Sequence, residues 1–198
     1  MFVLPSLSAL FVSLGFAAAQ TWSPTGFSVV NVGPSGARTY FYDSGTIVEL
    51  STLAVPSNPA GYNTAWVADF SLATLYNLVN VTPFTDIATI GYISPATGGL
   101  VVRLFYQTTD GVIRTAYHSG VAGDPPWSLD PVEIATVPLG SPLSAFQSNL
   151  NGVLPEILVI QYTDVNGLLT QRFTTTDGID GTWSAPVTIT TQETGVCT

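Results

Sequence analysis

Residues 101–116 read VVRLFYQTTDGVIRTA: an apolar run rich in β-branched and aromatic residues, a short polar turn ending in Gly111, and a second apolar run. Residues 36–50 and 157–172 repeat this pattern as GARTYFYDSGTIVEL and ILVIQYTDVNGLLTQR. Two such runs joined by a turn whose glycine tolerates a positive φ are typical of an antiparallel β-hairpin. The sequence therefore predicts three hairpins of one kind.

A tryptophan follows each hairpin, at Trp66, Trp127 and Trp183. Trp127 and Trp183 are 56 residues apart, and so are Arg103 and Val159, which shows that hairpin and tail recur together. A unit of roughly 50 residues built only of strands is typical of a propeller blade. We expect an all-β fold of about three propeller-like blades of antiparallel sheet. The repeats run over about residues 36–92, 100–146 and 156–198.

Strands outside the hairpins are predicted at residues 131–137 and 186–190, which read PVEIATV and PVTIT. Residues 65–77 are ambiguous, because their apolar positions approach a helical spacing while their β-branched and aromatic content favours a strand.

Three blades do not close a ring, since propellers have four to eight. Residues 194–198 align with residues 139–143, where the next unit begins. Three alternatives stay open: an incomplete propeller packed as a partial arc, a shortened gene product, or part of an oligomeric ring completed by further copies of the chain.

The first nineteen residues are almost wholly apolar and end in three alanines, as expected of a signal peptide cleaved before Gln20. A membrane anchor is the rival interpretation, but residues 1–19 are short for a span and lack a basic flank. We expect a secreted, extracellular protein without a stable membrane anchor, whose propeller-like domain covers residues 20–198.

The charge balance excludes some partners. The formal net charge is −9, and the 4 cationic residues are all arginine, so there is no basic patch for nucleic acid. Cys197 is the only cysteine; it fits a partner in another chain, a partner missing from a shortened sequence, or a buried thiol. Together with the single histidine, His118, it does not make a metal site, so no metal or other cofactor is expected.

The copies show the pattern Arg-x-x-Tyr/Phe-Tyr/Gln, then Asp/Ser-Gly-x-Ile/Val-x-Glu, then Trp, followed by Gly-Ser-Pro-Leu at residues 140–143. The pattern is carried by residues 37–50, by residues 102–115 with Trp127 and residues 139–145, and more weakly by residues 158–172 with Trp183. It resembles the repeats of the fungal fucose-specific lectins, a family of six-bladed propellers. The resemblance implies a carbohydrate-binding protein that takes fucose or a related neutral sugar on fucosylated glycans, and that is not an enzyme.

In that family the sugar lies between neighbouring blades, held by an Arg and a Glu of one hairpin and by aromatic residues of the next blade. Carried over to this chain, the resemblance implies a site formed by Arg38, Glu49, Trp127 and His118. A planar guanidinium and a carboxylate can bind sugar hydroxyls through charge-assisted hydrogen bonds, and an indole offers a flat apolar surface.

The second repeat keeps only part of this set. Arg103 and Trp183 occupy the corresponding positions, but Thr115 stands where the Glu is expected. The third repeat has Val159 and Gln171 in place of the Arg and the Glu, and we expect it not to bind a sugar.

Two other interpretations compete with sugar binding. Arg38 and Glu49 also fit a plain cross-strand ion pair, and one Trp per repeat fits a core anchor. The chain would then be a degenerate propeller that acts as a secreted interaction or surface protein. An enzyme is the third class; no triad is evident, although two carboxylates brought together by folding, as in glycosidases, stay open.

Overall fold

The computed structural model of the chain describes residues 26–31, 37–43, 45–52, 66–71, 78, 80–83, 85–94, 98–119, 127–148, 157–174 and 182–190. Strands, turns and bends make up these segments, and no helix occurs in them. Within the same segments no helix is long and apolar enough to cross a membrane. The predicted signal peptide at residues 1–19 and Cys197 lie outside the described residues.

The strands form three antiparallel sheets, called blades from here on. Blade one contains, in order, β1 (Phe27–Asn31), β2 (Ala37–Asp43), β3 (Thr46–Thr52) and β4 (Trp66–Ser71). Blade two contains β5 (Ala88–Ile93), β6 (Leu100–Gln107), β7 (Val112–Ser119) and β8 (Ser128–Leu129), with β9 (Ala135–Thr136) also paired to β7. Blade three contains β10 (Leu143–Ser148), β11 (Ile157–Thr163), β12 (Leu169–Thr174) and β13 (Val187–Thr188).

The first strands of the three blades lie side by side, because β5 contacts both β1 and β10. The first strand of each blade is therefore its inner strand, next to the neighbouring blades, and the hairpin that follows it lies further out. The repeats counted along the sequence begin at the hairpins, so each sheet begins one strand earlier than its repeat.

The three predicted hairpins are confirmed. They are β2–β3, β6–β7 and β11–β12, each paired in antiparallel register. Their turn glycines Gly45, Gly111 and Gly167 have φ angles of 97°, 81° and 77°. These values lie in the left-handed region, which an L-residue enters only at a cost in strain.

The remaining strands differ in part from expectation. The ambiguous stretch contains a strand, since Trp66–Ser71 pairs with β3, while residues 72–77 lie outside the described residues. Of the strand expected at residues 131–137, only β9 (Ala135–Thr136) forms, and β8 (Ser128–Leu129) precedes that range. Asp130 and Pro131 lie between the two strands; Pro131 has no N–H for the ladder, and the buried Asp130 side chain contacts Arg103.

Blades pack face to face through alternate strand residues. Tyr40, Ile47 and Trp127 belong to a buried cluster between blades one and two. Phe105 and Ile160 belong to a second cluster between blades two and three. Because successive side chains of a strand point to opposite faces, one strand of blade two supplies both clusters.

Two polar side chains, the buried Gln107 and the partly buried Asp86, fix the connection between blades two and three. Gln107 donates to the carbonyl oxygen of Pro138 at 2.7 Å and accepts from the Gly140 N–H at 2.8 Å. Asp86 accepts from the Leu143 N–H at 2.9 Å, at the start of β10. The chain therefore enters blade three in a fixed direction.

We predict that Gly111→Ala destabilises the protein more than Gly167→Ala. Both changes place a Cβ at a positive φ, at a cost of roughly 1–2 kcal/mol. At Gly111 the new Cβ would also lie 2.8 Å from the carbonyl oxygen of Val137, whereas at Gly167 nothing lies within 4 Å. Urea unfolding of both variants measures the difference, and equal midpoints would contradict it.

Candidate functional site

Strands β2 and β3 of blade one carry a group of polar side chains on the face that packs against blade two. Tyr40 lies opposite Glu49 in the β2–β3 register, and Arg38 lies opposite Ser51. Arg38 and Glu49 are therefore diagonal neighbours on one face of the hairpin, the face that also carries the buried Tyr40. Strand alternation alone places these three side chains together.

The carboxylate of Glu49 joins the two blades. Its Oε1 is 3.2 Å from Nη1 of Arg38. Its Oε2 accepts a hydrogen bond of 3.2 Å from Nε1 of Trp127, which precedes β8 in blade two. The structure thus brings together Arg38, Glu49 and Trp127, the residues that the resemblance implies for the first site.

Two aromatic rings flank Trp127. Tyr40 packs against it edge-on with ring centroids 5.7 Å apart, and His118 does the same from β7 at 5.7 Å. His118 is therefore a wall of the same site. Such edge-to-face pairs fix the plane of the indole.

Burial sets the ionisation of the site. It raises the pKa of Glu49 above its ordinary value, and the nearby Arg38 guanidinium only partly opposes this. Burial also raises the pKa of Tyr40, with a further contribution from the charge of Glu49. Tyr40 therefore keeps its proton, and Glu49 ionises less readily than an exposed carboxyl.

His118 is neutral over the physiological pH range. Burial is the larger cause and the positive charge of Arg38 the smaller; together they lower the pKa of His118 to about 4. The imidazole therefore offers one donor, one acceptor and an apolar face, without a charge.

The accessible part of the site differs from the expected one. The side chain of Arg38 keeps 19% of its surface exposed, and His118 is partly exposed. Trp127 keeps only 6% exposed, because Tyr40 and Glu49 cover it. Trp127 therefore orients Glu49 and lines the wall, and the stacking platform expected from sequence is largely covered.

The second predicted site is built differently. Arg103 is fully buried and forms an ion pair of 3.2 Å with Asp130. Its guanidinium lies over the ring of Tyr117, 5.5 Å from the centroid, in cation–π geometry. This arrangement holds Arg103 in the interior, so the geometry assigns it to the packing of blade two and not to an exposed surface.

Trp183 packs edge-on against Phe105, with centroids 5.9 Å apart, as Trp127 packs against Tyr40. The position of Glu49 is taken by Thr115, which lies opposite Phe105 in the register. Nε1 of Trp183 is buried, and no described residue accepts its hydrogen. In blade three, Val159 and Gln171 occupy the equivalent positions, so no Arg–Glu pair is present there.

Two residues of these networks were missed from sequence. Tyr40 lies two residues after Arg38 in β2, so both side chains point to the same face of the strand, and this alternation could have identified Tyr40. Asp130 lies 27 residues from Arg103 along the chain, and sequence spacing alone does not indicate that the two side chains meet. No group of three or more His, Cys, Asp or Glu side chains that could hold a metal ion occurs within the described ranges.

We predict that the single histidine titrates with a pKa of about 4, and that Arg38→Gln raises this pKa while leaving it below 6.5, because burial persists. NMR of the His118 ring signals measures both. Unfolded His118 binds protons below about pH 6.5 and folded His118 only below about 4, so its contribution to stability is lost as the pH falls through that window.

Arg114→Gln is the matched control for that titration, since Arg114 pairs with Glu133. It should leave the His118 pKa unchanged. A His118 pKa at or above 6.5 in the unaltered protein would contradict the site geometry.

Neither a family model nor a curated protein matches the chain. Several solved structures do match the chain. AofleA from Arthrobotrys oligospora superposes with a TM-score of 0.54 at 19% identity over 81% of this chain and 41% of its own. A variant of AofleA with three arginines replaced by alanine gives 0.58 at 16% identity, over 83% and 42%. SapL1 lectin in complex with alpha methyl fucoside gives 0.54 at 13% identity, over 82% and 47%.

At these identities the likeness shows the fold alone. The chain spans less than half the length of each of these structures. The shared feature is an all-β array of antiparallel blades, in agreement with the architecture described above.

Proposed function

We propose that this chain is a secreted carbohydrate-binding protein, lectin-like, that takes a fucose-type neutral sugar between blades one and two. The observation that carries the proposal is the meeting of Arg38, Glu49 and Trp127 across two blades, with both oxygens of Glu49 engaged. The shared fold with SapL1, which is described as a lectin in complex with alpha methyl fucoside, supports the choice of sugar class.

The geometry suits a neutral, hydroxyl-rich ligand. Glu49 holds one edge of the Arg38 guanidinium, which leaves its other N–H groups to donate to neighbouring sugar hydroxyls. Because Glu49 balances the charge of Arg38, an uncharged ligand adds no unpaired charge to a half-buried site. The neutral His118 supplies an acceptor and part of the apolar wall.

Of the two described blade interfaces, only the one between blades one and two is expected to bind a neutral sugar. Between blades two and three, Arg103 is committed to Asp130, and Thr115 offers no carboxylate. A sugar hydroxyl there would meet neither the exposed guanidinium nor the oriented acceptor that the first site provides.

Calorimetric titration with methyl α-L-fucoside tests the proposal. We expect binding at about one site per chain. Arg38→Gln should weaken it at least ten-fold, because charge-assisted hydrogen bonds contribute about 1.5–3 kcal/mol. Arg114→Gln makes the same chemical change in an ion pair outside the site and should bind as the unaltered protein does.

Two further results bear on this titration. Methyl α-L-galactoside, which carries a hydroxymethyl group where fucose has a methyl group, should bind more weakly, because its extra hydroxyl would meet the apolar part of the aromatic wall. Absence of any binding by folded protein at millimolar sugar would remove the proposal and favour the second candidate, a degenerate propeller that acts as a secreted interaction protein.

We also propose that copies of the chain associate through blade one. Phe27 and Val29 are 58% and 52% exposed and lie on the face of β1 opposite to Val30, which packs towards blade two. An inner strand with one face packed on a neighbouring blade and an apolar opposite face suits a further blade, here supplied by a second copy.

Two measurements on the exported protein test these proposals: the intact mass of the chain tests secretion, and the mass of the particle in solution tests association. Intact mass should correspond to a chain beginning at Gln20, as residues 1–19 predict. Light scattering should give a multiple of that mass, reduced by Val29→Asp. Val165→Asp, at a position 67% exposed in the β11–β12 turn, is the control and should not change it. An unprocessed N-terminus would oppose secretion, and a monomer at all concentrations would oppose association.

A further inference from the structure

A second cleft lies between blades two and three, apart from the Arg38 site. Its volume is about 300 Å³, at the small end of ligand pockets. One wall comes from β9 and the residues before it, and the other from the β11–β12 hairpin and the region of β13. Its polar lining includes the hydroxyls of Thr136, Thr170 and Thr188, the phenol of Tyr162 and the guanidinium of Arg172.

Arg172 differs from the other three arginines. Arg38, Arg103 and Arg114 each lie within ion-pair distance of a carboxylate. Arg172 has no such partner among the described residues, and its Nη1 donates to the backbone carbonyl oxygen of Ile134 across the blade interface.

The Nε atom of Arg172 is buried, and within the described segments nothing accepts its hydrogen. A half-buried cation that has only one carbonyl acceptor is under-bonded, and a carboxylate is the ligand that its planar fork binds most strongly.

The one acidic side chain of the cleft is engaged elsewhere. Oδ1 of Asp164 accepts the N–H groups of Asn166 and Leu168 at 2.8 and 2.9 Å, inside the hairpin turn. These backbone hydrogen bonds hold the pKa of Asp164 below its ordinary value, although the carboxyl is exposed. Asp164 therefore stabilises the turn and does not neutralise Arg172.

The other polar groups of the cleft are uncharged. Burial raises the pKa of Tyr162, with Arg172 opposing the rise, so the phenol keeps its proton and can donate. Beside it, the hydroxyls of Thr136 and Thr188 can donate and accept, whereas the Thr170 hydroxyl donates to the Leu168 carbonyl oxygen at 3.3 Å and keeps its acceptor capacity. The cleft thus combines one cation with several hydroxyl partners.

We propose that this cleft binds an acidic sugar, with its carboxylate on Arg172 and its ring hydroxyls on the threonines and Tyr162. The hydroxyl-rich lining distinguishes a hexuronate from a simple carboxylic acid. The cleft is independent of the neutral-sugar site, since the two sites use different blade interfaces and share no residue.

Methyl β-D-glucuronide and methyl β-D-glucoside are the probes, because they differ only in a carboxylate against a hydroxymethyl group. In NMR titrations of the full chain, the glucuronide should shift the amides of Thr136, Thr170 and Thr188, and its affinity should fall with added salt. The glucoside should bind at least ten-fold more weakly. Equal binding of the two probes, or shifts confined to blades one and two, would overturn the proposal.

Arg172→Gln should weaken the glucuronide at least ten-fold. Because this change also removes the contact with Ile134, a second variant guards against misfolding: Thr136→Phe, on an exposed strand position, fills the cleft without altering Arg172. Arg38→Gln should leave the glucuronide unaffected while it weakens methyl α-L-fucoside. If both cleft variants bind the glucuronide as the unaltered chain does, the proposal is wrong.

Discussion

The buried carboxylate of Glu49 is the constraint on which the first blade interface depends. A carboxylate removed from water loses several kcal/mol of solvation, and it recovers this only through well-placed donors. Here one oxygen faces Arg38 of the same hairpin and the other faces the indole N–H of Trp127 in the next blade. A hydrogen bond to a charged group contributes about 1.5–3 kcal/mol, so a shift of blade two that separates Trp127 from Glu49 loses about that much. The same contacts that align the blades therefore fix the guanidinium at their common edge.

The second interface shows what happens when this carboxylate is absent. Thr115 stands at the equivalent position, and the buried N–H of Trp183 has no acceptor among the described residues. The arginine of the repeat is retained, but it is buried against Tyr117 and pairs with Asp130 of its own blade. The arginine of the second repeat is therefore part of a core ion pair, whereas Arg38 of the first repeat keeps part of its surface exposed. Position within a repeat does not by itself define a binding residue.

Sequence reasoning was strongest where short-range rules apply. The three hairpins follow from turn glycines and β-branched runs, and Arg38 and Glu49 share a face because strands alternate with a period of two. The strand β1 was missed because its five residues lie before the first repeat and show no turn signal of their own. The burial of Trp127 agrees with the alternative that the repeated Trp is a core anchor. The capture of Arg103 by Asp130 was missed, since it depends on a contact between segments distant in sequence.

Charge explains why the two blade interfaces suit different ligands. In a chain of net charge −9 with four arginines, three of the arginines lie beside carboxylates, which is why the ligand proposed at Arg38 is uncharged. Arg172 alone lacks such a partner among the described residues. The two clefts also lie at different heights along their hairpins. His118 of the first cleft pairs with Val102, far from the β6–β7 turn, whereas Tyr162 of the second cleft pairs with Thr170, close to the β11–β12 turn. A repeated frame can therefore carry two chemically distinct clefts without either one disturbing the other.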